Sequence, residues 1–174
     1  MQPEVVVYAR QTDWLLGQFM ENLAETNAQL LDIAPPGAVE GNNLLAVARH
    51  AAGVTRAYVL GIGCSLPVTR DRSLEFTALA SERPAILAEI RELRNQVAAA
   101  LAALDEVALG EAVVPSPALF GAGVPHEMTP REAIVENIRH LGIHLGELRL
   151  NALTAGRSAA PETLSGADAS IVAA

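Results

Sequence analysis

The chain has 174 residues, of which 12 are basic, all of them arginine, and 20 acidic, leaving a formal net charge of −8. That length suits a single domain with a real core, and an acidic chain with no arginine cluster lacks the electrostatic footprint of a DNA- or RNA-binding protein. Hydrophobic residues make up 51% of the chain but aromatics only 3%, so aliphatic side chains supply nearly all the apolar surface, a helix-forming composition.

The longest apolar stretch, residues 43–63, is interrupted by Arg49, His50 and Arg56. An arginine at bilayer depth costs roughly 2.5–3.5 kcal/mol, so no membrane span is expected. The first residues carry no basic segment or cleavage signal, and the lone Cys64 has no partner for an intramolecular disulfide. Both features lead to the expectation of a cytoplasmic chain.

Four segments show helical periodicity, and no strand is expected. The first covers about residues 3–31, with Leu15, Phe19, Leu23 and Leu30 at helical spacing, and stops at Ala34-Pro35-Pro36-Gly37. The second follows the turn-prone Glu40-Gly41-Asn42-Asn43 and runs to about Gly61, apolar on nearly all sides and therefore central in a bundle. Residues 61–77 read as a loop with a short turn at 73–76. The third helix starts near Ser81, tolerates Pro84 in its first turn, and fades near Asp105.

Residues 110–128 hold Pro115, Pro117, Gly121, Gly123 and Pro125, the composition of a long functional loop. The fourth helix opens on Thr129-Pro130-Arg131-Glu132, a capping box with proline at the first helical position, and Gly156 reads as its stop. The economical fold is all-α, a four-helix bundle with long crossover loops over residues 1–157, followed by a flexible C-terminal tail over 158–174.

Two of the four histidines, His140 and His144, stand four apart in the last helix, so their rings project from one face a turn apart. One helix can offer two imidazoles to one metal ion in this way, and His50 on the central helix could be a third ligand, leaving an open coordination position. A chance pair and a hydrogen-bonded core histidine are the competing readings. Glu147 and Glu136 share that side of the helix as orienting acceptors, general bases, or plain ion-pair partners of arginine. Small residues beside His50 (Ala46, Gly53, Val54, Ala57) leave room for a ligand or simply let helices approach. Gly142 and Gly146 mark another face, where a neighbouring helix or a second subunit would offset the roughly 1 kcal/mol that each glycine costs. His126 reads as a loop residue, and Cys64, with no activating motif around it, as a bystander.

The His50 segment Leu44-Leu45-Ala46-Val47-Ala48-Arg49-His50, the following Arg70-Asp71-Arg72 and Glu75-Phe76, and the ending His140-Leu141-Gly142-Ile143-His144-Leu145-Gly146-Glu147-Leu148 resemble the DinB/YfiT-like superfamily, over roughly residues 10–157. The resemblance implies a four-helix bundle with a divalent metal ion, zinc or nickel, held by His50, His140 and His144. It further implies a homodimer and a transferase or isomerase that uses a low-molecular-weight thiol such as mycothiol or bacillithiol, acting on a small-molecule substrate. Glu147 is the candidate for proton handling from its place on the histidine side of the helix. A metal-dependent hydrolase and a non-catalytic helical ligand- or partner-binding protein are the alternatives.

Overall fold

Val5, Tyr8, Thr12, Leu15, Leu16, Phe19 and Leu23 recur at three- and four-residue intervals and form the buried face of helix α1 (Pro3–Glu25) in the computed structural model, which describes residues 3–34, 42–105, 107–120 and 124–159. The helix ends six residues before the expected Leu31. Asn27 is the reason: its side chain accepts from the Gln29 amide at 3.0 Å and diverts the chain into a 3₁₀ turn over Ala28–Leu30. The Pro35-Pro36-Gly37 stop lies outside the described residues.

Asn43 caps helix α2 (Leu44–Thr55), accepting from the Ala46 amide at 2.8 Å while donating to the Ala78 carbonyl at 2.7 Å. Every residue of α2 except Arg49 is buried, which bears out its central place. Beyond Thr55 the chain continues as a π-helix over Arg56–Gly63 in place of the expected α-helix. Gly63 belongs to that segment's packing, since a Cβ there would stand 2.9 Å from Cγ1 of Ile134.

A one-turn helix, α3 (Arg72–Glu75), is capped by Asp71, whose carboxylate accepts from the Ser73 amide at 3.0 Å. Helix α4 (Arg83–Ala102) follows a 3₁₀ turn and carries Pro84 in its first turn, as expected. The long connection after it is pinned by an antiparallel bridge in which Val113 and Met128 exchange backbone hydrogen bonds of 2.8 and 3.0 Å. Helix α5 (Pro130–Ala159) begins on the anticipated capping box, with Glu132 accepting from the Thr129 amide at 2.7 Å. It runs three residues past Gly156, which stays helical, so residues 158 and 159 of the expected tail belong to the helix; residues 160–174 lie outside the described residues.

Pairs between helices fix their directions. Arg131 binds Glu4 and Arg149 binds Gln18, so α5 runs parallel to α1; Arg94 binds Asp13 while Arg83 donates to the Thr26 carbonyl, so α4 runs against it. Helix α2 runs against α5, with Gly63 near Ile134 and His50 near His140 and His144. Around the bundle the order is α1, α5, α2, α4, and Phe19, Leu45, Ile90, Leu93, Leu101 and Ile134 fill the shared core. The all-α four-helix bundle with long crossing connections is therefore the observed architecture.

Candidate metal centre

The seam between α2 and α5 brings His50, His140 and His144 together. One ring nitrogen from each lies within 4.8 Å of the other two, and Nε2 of His140 is 3.1 Å from Nε2 of His144. Two imidazole nitrogens bound to one ion at the usual distance of about 2.0–2.1 Å stand roughly 3–3.4 Å apart, so the α5 pair is already at the spacing of a shared ion. The residues fit a divalent ion in number, chemistry and placement. Among the described residues no other group of histidine, cysteine or carboxylate side chains converges in this way.

Each of two rings has its other nitrogen fixed by a carboxylate. Nδ1 of His144 bonds Oε2 of Glu147 at 2.7 Å, and Nδ1 of His50 bonds Oε2 of Glu75 at 2.8 Å. A carboxylate on Nδ1 holds the proton there and turns Nε2 and its lone pair toward the other rings. Phe76 stacks on His50 at 5.1 Å and limits its rotation further.

Glu75 has no local sequence pattern that marks it as part of the site. It is 4% exposed and receives two hydrogen bonds from Arg70, at 2.7 and 2.9 Å, besides that of His50. Burial alone would raise its pKa, but the Arg70 and His50 bonds outweigh it and hold the carboxyl below its usual range. Gly53 makes room for this arrangement: a Cβ there would overlap Oε1 of Glu75 and stand 2.7 Å from its Cδ. The space at Gly53 is thus filled by the protein's own carboxylate, whereas Val54, another of the small residues beside His50, lines an open cavity with it.

Burial and the neighbouring His144 and His50 push the pKa of His140 down to about 3, and burial with His50 lowers that of His144 against the opposing pull of Glu147. Both rings are therefore neutral at physiological pH, the form that binds a cation. A folded-state value below the unfolded 6.5 means that, between about pH 3 and 6.5, the unfolded chain holds more protons, so stability is lost as pH falls through that window. Urea unfolding of the chelator-treated protein should show a lower midpoint at about pH 5 than at about pH 7, with a shallower dependence in His140→Ala. An unchanged dependence in that variant would remove His140 as its source. Partial exposure keeps the slope below the limit of about 1.4 kcal/mol per pH unit for one proton.

Two cavities open beside the triad. One of about 200 Å³ is lined by His50, Val54, Tyr58, Arg70, Arg72, Glu136 and His140, and a larger one of about 830 Å³ shares Tyr58 and Glu136 with it and adds Phe120, His126, Met128 and Arg131. A third, of about 240 Å³, lies on the far side of His50 against Phe76, His144 and Glu147. The loop before α5 forms a wall of the large cavity, with Phe120 stacked on Tyr58 at 6.3 Å and edge-on to His126 at 4.9 Å.

The remaining candidates fall as follows. Glu147 bonds the ring of His144, as an orienting acceptor does, and Glu136 is tied to Arg139, the plain ion pair. His126 stays in the loop, outside the triad. Burial raises the Cys64 thiol to about 11, consistent with a bystander. Among the described residues nothing lies within 4 Å of a Cβ at Gly142 or Gly146, so no described helix compensates for those glycines.

Comparisons with curated proteins and with solved structures each returned no match. A family model does match, that of the DinB superfamily, over residues 11–148, a span that takes in α2, α3, the three histidines and Glu147. No described helix is long and apolar enough to cross a membrane. With the helical bundle, the histidine triad and a family match over most of its length, the chain belongs to the DinB superfamily.

Proposed function

We propose that this protein is a metal-dependent enzyme in which His50, His140 and His144 hold one zinc or nickel ion, and that it works on a low-molecular-weight thiol of the mycothiol or bacillithiol kind as an S-transferase or isomerase. The observation that carries the reading is the convergence of three imidazoles, two of them oriented by carboxylates, at the mouth of a cleft. The ion would supply Lewis-acid chemistry, lowering the pKa of a bound thiol or water. Glu75 and Glu147 hold the tautomers of His50 and His144, and Glu147, at the edge of the cavity beyond His144, is the proton acceptor assigned to the reaction. Tyr58 and Phe120 give the larger cavity an aromatic wall against which an apolar substrate group would be held away from water.

Cobalt-substituted protein titrated with mycothiol, bacillithiol and glutathione tests the thiol assignment. A thiolate-to-cobalt charge-transfer band with at least one of them is the expected result. Cobalt bound without any such band would overturn the thiol reading in favour of hydrolysis, and failure to hold any metal would favour the non-catalytic binding protein.

A cytoplasmic homodimer completes the proposal. The exposed face of α5 with Gly142, Ile143, Gly146, Leu150 and Leu153 supports it, and sedimentation equilibrium would read twice the 18.2 kDa chain mass.

A further inference from the structure

The three histidines are not held alike. His50 and His144 each give the Nδ1 proton to a carboxylate, whereas Nδ1 of His140 is buried with no hydrogen-bond partner among the described residues. Since Glu147 keeps the proton of His144 on Nδ1, the 3.1 Å contact between the two Nε2 atoms needs a proton on Nε2 of His140. A metal ion requires the lone pair of that same nitrogen. With an ion held there, the His140 proton would stand on Nδ1, where a buried N–H needs an acceptor or leaves a hydrogen bond unmade.

One turn before His140, on the same side of α5, Asn137 is fully buried, and neither its amide nitrogen nor its carbonyl oxygen has a partner among the described residues. Helical side chains lean toward the helix N-terminus, so the His140 ring leans back over the turn that carries Asn137. Thr12 of α1 is also fully buried with an unpartnered hydroxyl. The Glu4–Arg131 and Gln18–Arg149 pairs set α1 beside α5 so that Thr12 falls at about the level of His140. Glu136, the other candidate acceptor one turn away, is engaged by Arg139.

We propose that Asn137 is the positioning residue of His140: its side-chain oxygen accepts the Nδ1 proton in the metal-bound state, directly or through one water shared with Thr12. The site is then asymmetric, with two ligands oriented by anions and the third by a neutral amide. This rests on the metal reading above, and the test separates the two.

Zinc affinity of chelator-stripped protein, measured by competition with a chromophoric chelator, should fall about 10- to 100-fold in Asn137→Leu, the usual effect of losing a group that orients a ligand. The melting temperature of the same metal-free variant should stay level or rise, because an unpaired buried amide has been replaced by an apolar group of similar size. Asn137→Ser, which keeps an acceptor, should recover most of the affinity, and Glu136→Gln should leave it unchanged. Should Asn137→Leu not fold, long-range proton–nitrogen NMR of the zinc-loaded wild type reads the same point, the expectation being a slowly exchanging proton on Nδ1 of His140. Asn137→Leu binding zinc like the wild type, loss of affinity in Glu136→Gln instead, or an Nδ1 proton that exchanges freely with solvent would each overturn the proposal while leaving the metal site standing. A wild type that binds no zinc overturns both.

Discussion

Protein purified without added metal or a histidine tag is expected to carry close to one zinc or nickel ion per chain by elemental analysis, and His144→Ala is expected to lose it. The α5 pair supplies two ligands from one rigid helix, with Nε2 atoms 3.1 Å apart, and His50 closes the set from the facing helix. Removing an orienting partner typically costs about 10–100-fold in affinity, and removing a ligand itself should cost more than about 100-fold. His50→Ala and His140→Ala should behave like His144→Ala, because the three nitrogens address one point. Unchanged metal content in any one of these variants would take that residue out of the set, and a wild type that stays empty when dialysed against zinc or nickel would sink the metal reading.

The second large effect concerns stability as well as the metal. Glu75 is the counter-charge of Arg70, whose side chain is only 4% exposed, and it also holds His50. Glu75→Ala would leave a buried guanidinium unpaired, which typically costs about 3–5 kcal/mol. In a chain of this length that corresponds to a fall in melting temperature on the order of 10 °C. Gly53→Ala should push in the same direction without removing any charged group, since its Cβ must displace the Glu75 carboxylate. Thermal unfolding of the metal-free variants, beside their zinc affinities, checks both. A Gly53→Ala protein with wild-type stability and affinity would show that Glu75 can hold His50 from elsewhere.

What the sequence shows and what it hides divide along the range of the interactions. The capping box of α5 and the four-residue step from His140 to His144 are local, so periodicity and turn chemistry reveal them directly. His50 is legible as the histidine of the central, all-apolar helix. Glu75 is not, because its role comes from the packing of α3 onto α2, which no local pattern encodes; the available signal is Gly53, a glycine inside a buried helix three residues beyond His50. Local rules also mislead at Gly156, where helix packing carries α5 past a residue that usually ends helices, and at Asn27, whose side chain ends α1 before the apolar pattern does.

The bridge between Val113 and Met128 separates two kinds of change that this protein can accommodate. The histidines and their carboxylates sit on helices and a capped turn, so alterations there propagate into the bundle. The wall of the large cavity belongs instead to a loop fastened at its base, with Leu119 resting near Gly61 and Phe120 on Tyr58. A change at Phe120 would therefore reshape what the cleft admits, while the reactive end of the site and the helices that carry it stay as they are.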